Sequence, residues 1–315
     1  MSNNKNRKII LLINFIGSIL LIIGITAAFL GPAEIYCFYF FTKGGRFYYE
    51  GFGFGSFMFG NIALQILGYY IIAVLFIPLG YGHLKKQSWA RIITPTLLWV
   101  WLIVGIPLIL ILLFMIVTIK EPSTLIIVLS AIFLILSYIL IPILLIKFYR
   151  SPSVELTFKA HSKKQYLVEK YPIPLLVITS MYLFYILAFH MFLLYKGIFP
   201  FFGIWLIDFK GFLIIDILIL LLVVLIWGTL KRKMWTWWVS LFYFCFLTLS
   251  SLITLAFSNF SEIITILNFP ELEAKALINI PINGFHLSLS FGIPLLITLV
   301  VIISSKRYFL IGRLK

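Results

Sequence analysis

The chain predicts an all-α, polytopic transmembrane helix bundle of about eight spans, with both termini on the cytoplasmic side. Three observations carry that prediction. Of its 315 residues, 63% are hydrophobic and only 11% charged, where a soluble domain would carry about 25% charge; mean hydropathy is +1.13. Eight apolar stretches of membrane-spanning length divide the chain into nine short segments. Of the 25 Lys and Arg, 19 fall in alternating segments on one side of the membrane, the bias that marks cytoplasmic loops.

Taken in order, the predicted spans are 9–30, 57–79, 95–118, 124–146, 173–195, 211–229, 235–257 and 287–305. Each crosses a hydrocarbon core of about 30 Å as a helix, which satisfies its own backbone polar groups in lipid. Lys5, Arg7 and Lys8 precede an apolar run from Ile9 to Leu30. That run exceeds the roughly 7–15 residues of a signal-peptide core, so it reads as an uncleaved anchor.

The inner segments are the N-terminus, 80–94, 147–172, 230–234 and 306–315, with three, three, six, three and four positive residues. The outer segments hold Glu34, Glu50, Glu121, Asp208, Glu262, Glu271 and Glu273. With this distribution, the net charge of +15 points to anionic lipid headgroups at the cytoplasmic face as the partner, and not to nucleic acid.

The outer segments are rich in rings. Residues 31–56 include Tyr36, Phe38, Tyr39, Phe40, Phe41, Phe47, Tyr48, Tyr49, Phe52 and Phe54, and residues 197–207 read GIFPFFGIWLI. Such density fits segments at the membrane interface. GFGFG at 51–55 reads as a flexible aromatic turn, because it lacks the Lys of a phosphate loop. Residues 262–280 read as an amphipathic surface segment with a short helix opened by Pro270; the same pattern fits a lid over a pocket.

One pattern occurs twice without a gap. GHLKKQSWAR at 82–91 and GTLKRKMWTW at 228–237 share the frame G-x-L-K-[K/R]-x-x-W. Its fixed residues include Lys85, Lys86 and Trp89 in the first copy, and Lys231, Arg232 and Trp235 in the second. Fainter echoes are Lys147-Phe148-Tyr149 and Lys306-Arg307-Tyr308. The offset equals four spans, which preserves orientation and suggests a parallel 4+4 duplication: residues 1–150 and 151–315 as two repeats of one membrane-embedded unit. Convergence of two tight cytoplasmic hairpins on basic residues and an interfacial Trp gives the same pattern.

The second hairpin, with Trp235, Trp237 and Trp238 behind its basic cluster, resembles a motif of many small prokaryotic multi-pass proteins. The run from Phe148 to Tyr308, with YRSPSVELTF after span four and YPIPLL opening span five, is similar to uncharacterised bacterial membrane proteins. The resemblance implies a prokaryotic cytoplasmic membrane and transfers no activity.

Candidate chemistry inside the membrane is sparse. Asp216 is the one acid inside a span; His190, Asn61 and Gln65 fall at similar outer-leaflet depth. The four read either as a polar cluster for a proton or cation, or as structural hydrogen bonding between helices. His83 and His161 sit among basic residues and read as solvated. Cys37 and Cys245 lie at different depths, so no disulfide follows, and no Cys/His cluster calls for metal or another cofactor. HExxH, GxSxG with a partner acid and paired intramembrane Asp are missing. The sequence therefore favours a non-catalytic membrane scaffold or a subunit of a larger complex. A small-molecule or lipid transporter with a polar outer-leaflet site, and an intramembrane enzyme acting on lipid or quinone, are the alternatives.

Overall fold

Residues 2–118, 124–162, 164–280 and 282–311 are described by a computed structural model. The loop with Lys120 and Glu121, and Lys163, Arg313 and Lys315, lie outside the described residues. Among the described residues, eight helices are long and apolar enough to cross a membrane, so the chain is an all-α multi-pass integral membrane protein. They are α1 Ser2–Phe41, α2 Phe57–Leu84, α3 Ser88–Thr118, a fourth span from α4 Thr124–Ile135 to α5 Ile141–Tyr149, α7 Ile173–Leu194, α8 Asp208–Leu230, α9 Met234–Phe257 and α12 Gly284–Ser304. Shorter helices are α6 Pro152–His161, α10 Phe260–Leu267, α11 Glu271–Ile278 and α13 Lys306–Ile311. The chain forms two compact units, Met1–Leu98 with Leu144–Ile173, and Trp99–Ile143 with Pro174–Lys315.

In the first unit α1 and α2 pack antiparallel through glycines seven residues apart. A Cβ at Gly17 would lie 2.7 Å from His83 Cβ, one at Gly24 2.8 Å from Ile77, and one at Gly31 3.0 Å from the Tyr70 ring. Lipid gives no hydrophobic drive between helices, so close approach over small residues supplies the association. The heptad spacing keeps those glycines on one face of a left-handed pair.

The sequence placed the end of the first span at Leu30, but α1 continues through Pro32 to Phe41. Pro32 removes one helical donor. The α2 pairing and ring packing further out hold the segment helical: Phe38 meets Phe59 at 5.1 Å between centroids, and Phe41 stacks on Phe52 at 5.5 Å. Residues 31–41 are therefore helix, and the connecting loop is shorter than expected.

α6 packs Val154 and Phe158 against Ile13 and Tyr149. Ser151 caps α6 by accepting from the Val154 amide at 3.4 Å, and Pro152 occupies the first turn, where its missing N–H costs nothing. On the outside of α6, Glu155 bonds Lys159 at 2.8 Å and faces Arg91 at 3.5 Å. Those cations hold the Glu155 carboxyl below the usual carboxylate range, the Lys159 hydrogen bond most of all.

In the second unit α9 is the hub. The Tyr182 hydroxyl donates to Ser240 Oγ at 2.6 Å, Tyr185 and Thr298 hydroxyls meet at 3.1 Å, Tyr243 donates to Leu218 O at 3.2 Å, and Trp237 Nε1 donates to Ile302 O at 2.8 Å. The Tyr185–Thr298 bond joins α7 to α12, and the other three tie α7, α8 and α12 to α9 by groups that lipid cannot satisfy.

In the fourth span a five-residue π-helix, Leu136–Leu140, precedes Pro142. Tyr138, in this wider turn, stacks on Trp101 at 4.8 Å over Gly105.

The aromatic segment before α8, expected at the membrane interface, contains a β-hairpin. β1 Phe199–Phe201 pairs antiparallel with β2 Ile204–Leu206 in the register Phe199↔Leu206. Phe202 and Gly203 make the turn, both with positive φ (42° and 92°), as a two-residue hairpin loop requires. The hairpin lies along α9. Ser250 Oγ donates to Pro200 O at 2.7 Å and accepts from the Phe202 amide at 3.2 Å. Thr254 accepts from the Gly203 amide at 2.9 Å, and Ser258 from Trp205 Nε1 at 3.1 Å. Hydroxyls at i, i+4 and i+8 form one stripe along α9 and its C-cap; Ser250 and Thr254 satisfy backbone groups of the strand and turn, and Ser258 takes the Trp205 indole. The expected surface segment at 262–280 is a pair of helices, α10 and α11, joined through left-handed Asn268 (φ 50°) and packed by Ile264, Leu267 and Leu277 on Ile198.

Candidate functional site

Asp216 belongs to α8, whose buried positions are Gly211, Ile215, Leu218, Leu222, Leu225, Gly228 and Thr229. Gly228 aside, these recur from Gly211 to Thr229 at alternating steps of four and three, the spacing of a helix seam. Asp216 falls outside the seam, exposed among Leu213, Ile217 and Leu220, of which Leu220 is 66% exposed. Among the described residues its carboxylate has no hydrogen bond and no ion pair. It sits eight residues after Asp208, about 12 Å from the start of the helix.

His190 is also exposed, near the end of α7. Its Nδ1 lies 2.7 Å from Ile186 O. A carbonyl only accepts, so Nδ1 carries the proton and Nε2 presents its lone pair when the ring is neutral. No bond joins His190 to Asp216. Asn61 is half-buried and Gln65 exposed on α2, so they belong to the first unit, while His190 and Asp216 belong to the second.

The repeated hairpin folds the same way in both copies. In the first, the Gln87 amide donates to Gly82 O at 2.8 Å and the Lys86 amide to His83 O at 2.9 Å, with Lys86 left-handed (φ 49°). In the second, Lys233 donates to Gly228 O at 2.9 Å and Arg232 to Thr229 O at 3.0 Å, with Arg232 at φ 52°. This is the Schellman close of a helix C-terminus. The shared glycine has a packing reason: a Cβ on Gly82 would strike Trp89 and Ala90, and one on Gly228 would strike Thr236 and crowd Trp235. Lys85 Nζ stands 5.9 Å from the Tyr81 ring. A cation at the left-handed position, where glycine is preferred, also complements the negative end of the helix dipole.

Sequence reasoning missed the most enclosed polar cluster in the first unit. His83, expected to be solvated, is 0% exposed. Its Nδ1 lies 2.7 Å from Leu79 O, and its Nε2 2.7 Å from the Tyr149 hydroxyl. Since Leu79 O can only accept, His83 donates from Nδ1 and accepts the Tyr149 proton at Nε2, so the neutral ring satisfies both bonds. Thr94 Oγ1 stands 3.4 Å from Nε2 while donating to Ala90 O at 2.8 Å. Phe158 closes the cluster edge-on at 5.8 Å. The signal was helical phase: Gly80 and His83 both face α1, where Gly17 leaves room. His161 is exposed, as expected.

An open, largely apolar groove of about 400 Å³ lies in the second unit, lined by Leu112, Leu129, Ser130, Phe133 and Leu134. None of the candidate polar residues lines it. Among the described residues, no three His, Cys, Asp or Glu side chains form a ligand set for a metal ion. Comparison with protein-family models, with curated proteins and with solved structures finds no match to this chain.

Proposed function

We propose that this protein is a non-catalytic subunit or scaffold of a larger complex in the prokaryotic cytoplasmic membrane, and that a partner's membrane helix docks on the exposed face of α8. The observation that carries the reading is Asp216, an acid without hydrogen bond or ion pair among the described residues, on a face of Leu213, Ile217 and Leu220. A charge at mid-bilayer costs roughly 2.5–3.5 kcal/mol on insertion scales, and less nearer the interface. A partner helix bringing Lys, Arg or a hydrogen-bond donor to that depth offsets the cost. Transport needs polar side chains turned toward an enclosed path, and the exposure of Asp216 and His190 favours the subunit reading over it.

Both termini lie in the cytoplasm in this proposal; the 19 of 25 Lys and Arg in alternating segments support that orientation. The identical Schellman close of the two hairpins supports descent by a 4+4 duplication.

The test is a photo-crosslinking residue at Leu220, activated in intact cells, with buried Leu222 of the α8 seam as control. One defined protein adduct at position 220, absent at 222 and lost with Asp216→Leu, is the expected result. No protein adduct at 220, or one that Asp216→Leu leaves unchanged, overturns the proposal.

A further inference from the structure

The basic end of the second unit gathers Lys231, Arg232 and Lys233 between α8 and α9, and Lys306 and Arg307 at the start of α13. The α9 and α12 ends are joined there by the bond from Trp237 Nε1 to Ile302 O. Lys306 Nζ stands 5.0 Å from the Trp237 ring centroid and 5.6 Å from that of Trp238. Arg307 lies over the Tyr308 ring and donates to its hydroxyl at 2.8 Å. No carboxylate pairs with Lys231, Lys233, Lys306 or Arg307 among the described residues.

The described acids of this unit lie elsewhere: Asp208 and Asp216 in the first half of α8, Glu262 on α10, and Glu271 and Glu273 on α11. Fifteen residues of α8 separate Asp216 from Lys231, about 22 Å of helix. Among the described residues of this unit, no acid therefore lies within reach of Lys231, Lys233, Lys306 or Arg307. Beside it runs an exposed aromatic strip: Trp238, 46% exposed, stacks at 6.4 Å on Phe242, which is 68% exposed and one turn further into the span. Cations at the membrane surface, with interfacial Trp beneath them and an apolar ring leading inward, match the three parts of a phospholipid: phosphate, glycerol interface and acyl chain.

We infer that this end of the second unit binds the headgroup of one anionic phospholipid, with Lys306 and Lys233 on the phosphate and an acyl chain along Trp238 and Phe242. The inference rests on the membrane reading of the chain and is independent of the partner proposed for α8.

The experiment is native mass spectrometry of the full-length protein, delipidated in neutral detergent and titrated separately with dioleoyl-phosphatidylglycerol and dioleoyl-phosphatidylcholine. The first phosphatidylglycerol should bind more tightly than phosphatidylcholine. Lys306→Gln should weaken it about fivefold, the effect of one surface cation on an anionic lipid. Lys306→Arg should keep the affinity, and Lys210→Gln, the same charge loss at the opposite end of α8, should leave it unchanged. Equal binding of the two lipids, or equal losses from Lys306→Gln and Lys210→Gln, overturns the inference. If Lys306→Gln fails to fold, Lys233→Gln decides by the same criterion, since its side chain is exposed.

Discussion

Replacing Tyr149 by Phe removes one oxygen from a ring that is 1% exposed and leaves the packing volume nearly unchanged. The lost group is the donor to His83 Nε2, and His83 is 0% exposed, so neither lipid headgroup nor bulk water can replace it. Hydrogen bonds between membrane helices average about 0.6 kcal/mol, because the reference state finds other partners. An orphaned buried acceptor costs about 1–3 kcal/mol. Enclosure favours the larger figure. Among the described residues, Thr94 at 3.4 Å is the hydroxyl that can substitute, and it must leave Ala90 O to donate. The expected destabilisation is therefore about 1–2 kcal/mol, the lower part of the orphan range. Reversible unfolding in mixed micelles with increasing SDS measures it. Tyr81→Phe, at a half-exposed ring, is the control and should fall within about 0.5 kcal/mol of wild type. Equal stability of Tyr149→Phe and Tyr81→Phe would refute the buried-acceptor argument.

Other perturbations read other joints. Gly80→Ala puts a Cβ 2.7 Å from Gly17 O and from Leu21 N, both backbone atoms, so α1 and α2 must separate at a cost of about 1–3 kcal/mol; a Cys pair crosslinked across α1 and α2 at this level should form more slowly in the variant. Ser250→Ala leaves Pro200 O and the Phe202 amide without their α9 partner, and hydrogen exchange at residues 199–206 should accelerate while α9 itself stays protected. The Glu155 carboxyl titrates below its unfolded value, so its contribution is present above the unfolded pKa, about 4.3, and is lost as pH falls through the folded value. The protection of α6 amides, taken relative to the intrinsic exchange rate at each pH, should fall over that acidic range and stay level between pH 6 and 8, and Glu155→Gln should abolish the pH step.

The eight helices were legible because each is a long apolar run. Which face of each helix packs was not. In a soluble helix, polarity marks the outside. In α8 the seam residues Ile215, Leu218 and Leu222 and the exposed Leu213, Ile217 and Leu220 are chemically alike, so hydropathy carries no phase. The depth of Asp216 was therefore readable and its facing was not. Glycine does carry phase, and the seven-residue spacing of Gly17, Gly24 and Gly31 marked the α1–α2 contact without being read. His83 was judged by its neighbours Lys85 and Lys86 in sequence, when Gly80, one turn away, shares its face. The hairpin at 199–206 is hidden because a run without charged or hydrophilic side chains shows no alternation of polarity; its strands owe their place to Ser250, Thr254 and Ser258, about 50 residues away.

Asp216, an acid without hydrogen bond or ion pair among the described residues, carries the proposed subunit role. Native mass spectrometry of the protein, released gently from its own membrane, tests that most directly. A reproducible added mass from a second polypeptide, lost when Asp216 is replaced by Leu, is the expected result. A bare monomer from the wild-type membrane, or a complex that Asp216→Leu leaves intact, would contradict it.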